Sequence, residues 1–235
     1  MHTHNNNPQE LEHFAKSAPE WWDPLGPNQL LHQLNPVRLH YLMRHSDLKN
    51  KKILDIGCGG GIFSESLAIQ GAHVTGLDLS EDLIMMAKIH QLESHLTIDY
   101  QLQSAEDHAL QYPEAYDIIT CMEMLEHVPN PQSILYAISH LLKPNGSVLL
   151  STLDRSPISF LTAIVGGEYL LKKLPKGTHH YDQFIRPGEL TRALREAGLT
   201  PLDIQGVRYN LLKQSFEECS KTHVNYMVLA QKCEH

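Results

Sequence analysis

The sequence predicts an α/β fold: a mostly parallel, seven-stranded sheet with helices on both faces and an antiparallel hairpin at its C-terminal end. Three observations carry this expectation. Short β-runs alternate with helical patterns from Lys51 onward over roughly a hundred residues, the signature of a parallel sheet. The first run, "KKILDIG", feeds directly into a turn with four glycines in five positions, 57 and 59–61. The second run closes on an acid, Asp78.

The elements follow in order. Residues 1–34 read as an irregular arm or lid, with "APEWWDPLGP" setting Trp21 and Trp22 among prolines; the two rings either close over a site or grip the domain surface. The main domain, 35–235, then opens at "NPVRLHYLMRH". Asn35 can cap a helix there and Pro36 suits its first position, which puts Arg38 in the first turn. "KILDIG", "HVTGLDL", "LTIDYQL", "YDIITCME" and "SVLLSTL" are strands. Helical spacing recurs at 62–69, 81–92 and 131–142, with Ser80 and Asn130 as N-caps. "RPGELTRALREAGL" is a further helix, stopped by Gly198. "PLDIQGVRYN" and "THVNYMVLAQK" pair as the hairpin. The stretch at about 155–183 fits no strand–helix slot and is read as a helical insertion.

Totals narrow the function classes. The chain has 235 residues, 42% hydrophobic and 20% charged, which is globular rather than disordered. A formal net charge of −8 argues against nucleic acid as partner, since phosphate binding needs a basic surface. Cys58, Cys121, Cys219 and Cys233 form no CxxC pair, as expected of a reducing compartment. Neither a signal peptide nor an apolar run of about 20 residues is present, so a cytoplasmic protein is expected.

The glycines mark a ligand site, because in open α/β sheets ligands bind beyond the carboxyl ends of the strands. A dinucleotide GxGxxG turn needs a third small residue at the position Ile62 occupies, so that match fails. The pattern that fits is acidic–x–Gly–x–Gly–x–Gly: Asp55, Gly57, Gly59, Gly61. It suits S-adenosylmethionine, which presents no phosphate and needs close approach of backbone to an adenosine and a methionine tail. Asp78 can accept both ribose hydroxyls; its alternative duty, capping the next helix, already falls to Ser80.

"EWWDPLGP", "LHQLNPVRL", "LDIGCGGGI", "TCMEMLEHVP", "VGGEYLLKKLPKGTHHYDQFIRP" and "VNYM" occur in this order, and together the chain resembles the ubiquinone-biosynthesis O-methyltransferase family. The resemblance implies a Rossmann-like class I methyltransferase. It implies S-adenosylmethionine contacts at Arg38, Gly57, Asp78 and Met122, with Gly59 in the same loop. Arg38 would pair bidentately with the methionine carboxylate, and Met122 would offer a soft apolar surface. The implied substrates are polyprenylated phenols, 2-polyprenyl-6-hydroxyphenol and 3-demethylubiquinol, with other ubiquinone-biosynthesis enzymes as neighbours. Asp154 and Leu211 depart from the family pattern, outside the cofactor motifs. The alternatives are a class I O-methyltransferase of another pathway, or a silent scaffold of a lipid-pathway complex.

A phenol ionises near pH 10, so its proton must be removed or polarised. The polar cluster for that task is Glu123, Glu126 and His127. His127 is a general base oriented by a glutamate such as Glu126, or the three side chains hold Mg²⁺ against a catecholate, or they cap a turn. In the insertion, Phe160, Ile164, Gly167, Leu171 and Leu174 share a helical face, and Lys172, Lys173 and Lys176 add positive charge. That combination predicts reversible, peripheral contact with anionic membrane, or a lid over the site.

Overall fold

A computed structural model of the chain describes residues 5–156 and 183–233. Its strands are β1 (Lys52–Ile56), β2 (His73–Asp78), β3 (Asp99–Leu102), β4 (Tyr116–Met122), β5 (Leu142–Leu153), β6 (Leu199–Asn210), β7 (Ser215–Cys219) and β8 (Asn225–Lys232). They form one sheet in the order β3-β2-β1-β4-β5-β8-β6-β7. The first five pair in parallel, and β8, β6 and β7 continue antiparallel. The α/β class, the parallel core and the antiparallel end stand as expected.

Among the described residues the sheet has eight strands rather than seven. β7, "SFEEC", is half-buried along its whole length at the sheet edge, so no apolar alternation marks it. The two C-terminal runs do pair, Ile204 with Val228 and Gly206 with Tyr226, but β7 intervenes in sequence. In β5 the pairing with β4 jumps from Tyr116↔Leu142 to Ile118↔Ser147, so the Pro144-Asn145-Gly146 turn bulges out of the ladder.

Helices α1 (Pro8–Ser17), α2 (Gln29–His45), α3 (Ile62–Ile69), α4 (Glu81–Glu93), α5 (Ala105–Gln111), α6 (Pro131–Leu141) and α7 (Pro187–Glu196) complete the described residues. Ser80 caps α4 through Leu83 N, and Asn130 caps α6 through Ser133 N. Two expectations at the N-terminus need correction. The arm is not irregular, because Asn7 caps α1 by accepting from Gln9 N, with Pro8 behind it. Nor does α2 begin at Asn35. It begins six residues earlier and runs through Pro36, and Asn35 donates instead to Ser66 Oγ on α3. Arg38 therefore sits mid-helix, not in a first turn.

The core has two apolar layers, one per sheet face. Tyr41, Leu42, Phe63, Leu67 and Ile84 cover one side, and Leu135, Ile138, Leu141 and Leu194 the other. Trp21, Ala18, Ile62 and Leu83 form a smaller cluster that fastens the arm to α3 and α4. The residues expected to touch membrane, Phe160 through Lys176, lie outside the described residues, as does most of the 155–183 insertion. No helix among the described residues is long and apolar enough to cross a membrane.

Candidate active site

Connections from β1 run outward to β2 and β3, while β4 and β5 lie on the other side of β1. The carboxyl ends of β1 and β4 are thus the switch point where a crevice opens. A cavity of about 950 Å³ lies there. Its walls include Gly57, Gly59, Asp78 and Leu83 on one side, and Met122, His127, Val207 and Asn225 on the other.

The turn after β1 requires its glycines. Gly57 and Gly59 have φ of +70° and +55°, a region that side chains rarely adopt. A Cβ at Gly57 would stand 2.6 Å from Met124 Cγ, and one at Gly59 2.6 Å from the Trp21 ring. The tryptophans therefore grip the glycine turn itself: Trp21 lies over it, and Trp22 Nε1 donates to Gly60 O at 2.8 Å. Trp22 also stacks on His90 at 3.4 Å, and His90 Nδ1 meets Glu65 at 2.8 Å.

Asp78 joins this turn to the end of β2. Its carboxylate accepts Gly59 N at 2.9 Å and Ser80 N at 2.8 Å. Burial pushes its carboxyl above the ordinary range, against the pull of those amides. A carboxylate has about four lone-pair positions, so acceptor capacity remains for a ligand. Asp55, at the end of β1, is fully enclosed and is pushed up to about 6 by burial, although Ser64 Oγ and Thr120 Oγ1 both donate to it.

Arg38 and Glu123 meet at the bottom of the cavity. Arg38 Nη2 lies 2.8 Å from Glu123 Oε1, and Ser151 Oγ and Asn225 Nδ2 reach the same oxygen at 2.7 and 3.0 Å. Burial raises the Glu123 carboxyl, but Arg38, Ser151 and Asn225 outweigh it and hold the group below the ordinary glutamate value. Glu123 has φ +50°, a strained conformation for a side-chain-bearing residue, of the kind that gathers at sites. Arg38 Nε is buried with no partner among the described residues. A buried guanidinium nitrogen without a partner beside a turn of bare backbone fits the carboxylate and adenosine of S-adenosylmethionine.

The rest of the predicted cluster does not converge. Met122 lines the cavity, with Ser151 Oγ 3.5 Å from its sulfur. Glu126 is buried and accepts from Thr152 Oγ1 at 2.8 Å, away from the described cavity wall. That position does not support the catalytic role expected of it. His127 does line the cavity, and the glutamate at its ring is Glu10, whose Oε2 lies 3.1 Å from Nδ1. Glu123, Glu126 and His127 thus turn to three different partners. Among the described residues no three His, Cys, Asp or Glu side chains form a metal-holding group. Among the described residues the expected Mg²⁺ has no support.

Sequence reasoning did not foresee Glu10, Phe14, Ser151 or Asn225 in this site. Asn225 stands in "VNYM", one of the runs that carried the resemblance, so a signal existed for it. "NPQELEHF" carries the cap of α1 but nothing that links Glu10 to His127.

Comparisons with known proteins agree with this geometry. A family model described as a methyltransferase domain matches residues 29–204. The chain is 48% identical over 228 residues to a protein of Azoarcus sp. (strain BH72) named ubiquinone biosynthesis O-methyltransferase, covering 97% of this chain and 98% of that one. A protein of the same name from Xanthomonas euvesicatoria pv. vesicatoria is 49% identical, at 97% and 95% coverage. Among solved structures, magnesium protoporphyrin IX methyltransferase from Synechocystis PCC 6803 with bound SAH superposes with a TM-score of 0.68. That match covers 94% of this chain and 97% of the other at 17% identity. A SAM-dependent methyltransferase of Thermotoga maritima gives 0.65, at 95% and 99% coverage and 17% identity. At such identities these structures establish the fold, a Rossmann-like class I methyltransferase.

Proposed function

The chain belongs to the ubiquinone biosynthesis O-methyltransferase family, and from that premise we propose that it methylates the phenolic hydroxyls of polyprenylated catechol and quinol intermediates. It is an S-adenosylmethionine-dependent O-methyltransferase. The proposed acceptors are 2-polyprenyl-6-hydroxyphenol and 3-demethylubiquinol.

The observation that carries this reading is the continuity of the cavity. One space of about 950 Å³ connects the glycine turn and Asp78 to His127, large enough for a donor and an aromatic acceptor together. S-adenosylmethionine supplies an already activated sulfonium methyl. What the chain must add is alignment, exclusion of water, and a home for the phenol's proton. Arg38 would grip the methionine carboxylate, Gly57 and Gly59 would admit the adenosine to backbone contact, and Asp78 would accept from the ribose. Met122 would pack beside them. His127 takes the phenolic proton, and no step requires a metal.

The arm of residues 1–34 serves as a lid on the domain of 35–235 and helps keep the cavity dry. Because a polyprenyl tail partitions into lipid, the enzyme works as a cytoplasmic protein at an anionic membrane surface, beside other enzymes of the pathway. The apolar residues and lysines within 160–176, which lie outside the described residues, would supply that contact. Co-sedimentation with phosphatidylglycerol vesicles at low and high salt tests it, and protein that stays in the supernatant at low salt refutes it.

The test of the function is a radiolabelled methyl assay on a short-chain demethylubiquinol analogue, with and without EDTA. Label on the ring oxygen in both conditions is expected. No transfer to the analogue removes the proposed substrate class, and loss with EDTA restored by Mg²⁺ removes the metal-free route.

A further inference from the structure

Trp21 Nε1, Asn35 Oδ1, Arg38 Nε and Asn225 Oδ1 are buried, belong to residues that line the cavity, and have no hydrogen-bond partner among the described residues. Unpaired polar atoms are rare in a folded interior, so several around one cavity mark where a ligand pairs. Neighbouring bonds fix the orientation of the two amides. Ser66 Oγ donates to Ile62 O at 3.1 Å and therefore accepts from Asn35 Nδ2 at 2.7 Å. Asn225 Nδ2 donates to the Glu123 carboxylate at 3.0 Å. The unpaired amide atoms are thus acceptors, whereas indole and guanidinium nitrogens can only donate. An α-amino acid end satisfies both kinds, with a carboxylate for the donors and an ammonium for the acceptors, and S-adenosylmethionine carries one.

These atoms follow one another along the wall. The Trp21 ring covers the glycine turn, where a Cβ at Gly59 would stand 2.6 Å from the ring and a Cβ at Gly60 2.8 Å from Nε1 itself. Ile62 follows that turn, and Ser66 ties Asn35 to it. Arg38 lies one turn further along the same face of α2 and meets Asn225 at the Glu123 oxygen.

Trp21 is held where it is. It is 6% exposed and packs with Ala18, Ile62 and Leu83, while its backbone bonds Ala18 O and the His32 ring. A buried indole N–H ordinarily finds a partner. Trp22 has one at Gly60 O, and Trp21 beside it has none among the described residues. A group that can only donate suits an anion, and the carboxylate is the anionic group of S-adenosylmethionine.

We infer that Trp21 is a cofactor-binding residue whose indole N–H donates to the carboxylate of S-adenosylmethionine, beside Arg38. This rests on the reading of Arg38 as that carboxylate's partner. The arm of residues 1–34 then supplies part of the donor site as well as covering it.

Trp21→Phe tests this, because it keeps an aromatic ring on the turn and removes the N–H. Calorimetry compares S-adenosylhomocysteine, which has the carboxylate, with 5′-methylthioadenosine, which keeps the adenosine and the sulfur but lacks the amino-acid end. Losing a hydrogen bond to a charged group should weaken S-adenosylhomocysteine on the order of tenfold and leave 5′-methylthioadenosine within about twofold. Nitrogen-15 NMR of Trp22→Phe gives an independent reading, since the chain has two tryptophans and the remaining indole signal is that of Trp21. That signal should move downfield with S-adenosylhomocysteine and far less with 5′-methylthioadenosine. Unchanged affinities in Trp21→Phe mean that Trp21 only packs, and equal losses for both ligands mean that it serves the adenosine; either result overturns the inference. Where Trp21→Phe does not fold, the NMR decides: an indole signal that ignores S-adenosylhomocysteine, or answers both ligands alike, refutes it. A wild type that binds the two ligands equally removes the carboxylate reading of Arg38 as well. No methyl acceptor enters these measurements, so the proposed phenolic substrates stand or fall separately.

Discussion

Arg38 Nη2 lies 2.8 Å from Glu123 Oε1 although 85 positions separate them in the chain. The pair ties α2 to the end of β4 and shares its carboxylate oxygen with Ser151 and Asn225. Four elements of structure therefore meet at one oxygen, and the ion pair fixes where the guanidinium lies.

Removing one partner of this pair leaves the other buried and uncompensated. Arg38→Met should cost about 3–5 kcal/mol of stability, and a second change, Glu123→Gln, should restore much of it. Denaturant unfolding of both variants checks this. The sign with pH follows from the lowered Glu123 value: its stabilisation is fully present above the ordinary 4.5 and disappears as pH falls through the lower folded value. Equal stability of wild type and Glu123→Gln throughout that descent contradicts the assignment.

Asp78→Ala should weaken cofactor binding more than tenfold, the loss of a charge-assisted hydrogen bond of about 1.5–3 kcal/mol. Folding should also suffer, because Gly59 N and Ser80 N lose their acceptor. Asp78→Asn, which keeps one acceptor oxygen, should fold better while still binding poorly. Calorimetry with S-adenosylhomocysteine reads the affinity, and unchanged affinity in a folded Asp78→Asn protein argues against the ribose role.

Asp55 predicts a pH-dependent cost. Its folded value of about 6 lies above the ordinary 3.8, so folded protein binds more protons than unfolded chain between those limits. Stability is therefore lost as pH rises from about 4 to about 6, by at most on the order of 3 kcal/mol for one such group. Asp55→Asn should gain on the wild type across that window and run parallel to it above. A constant difference from pH 4 to 7 rules this out.

The tryptophans should report ligand binding. Trp21 and Trp22 both touch the glycine turn, so S-adenosylhomocysteine should change tryptophan emission, with most of the change lost in Trp21→Phe. Emission that ignores saturating ligand in the wild type would mean that the turn does not move against the arm.

The same dipeptide shows why the sequence was only partly legible. Asn-Pro opens α6 at 130–131 and also occurs at 7–8 and at 35–36; of these last two, the second reads as a helix start because Asn suits a cap and Pro the first helical position. The first is the real cap. At the second, side-chain bonding to Ser66 and burial of Leu34 and Arg38 carry the helix through a proline that donates no hydrogen bond. Parallel strands were plain because both of their faces are buried, and the cofactor half of the site was plain because turn glycines and a strand-end acid have local signatures. α5 carries one as well, Ser104 as cap with Glu106 and Asp107 in the first turn. β7 and Glu10 had none, since an edge strand needs no apolar face and the meaning of Glu10 lies 117 positions away at His127.

The position of β8 bears on how the protein is made. It is the last strand in sequence, yet it lies between β5 and β6. While the chain grows from its N-terminus, both of those strands keep an unpaired edge until residues 225–232 have left the ribosome. Such edges invite pairing with other chains. A nascent polypeptide stalled before Asn225 should therefore be held by chaperones or aggregate, and Asn225 itself, by reaching Glu123, ties the last strand to the floor of the cavity.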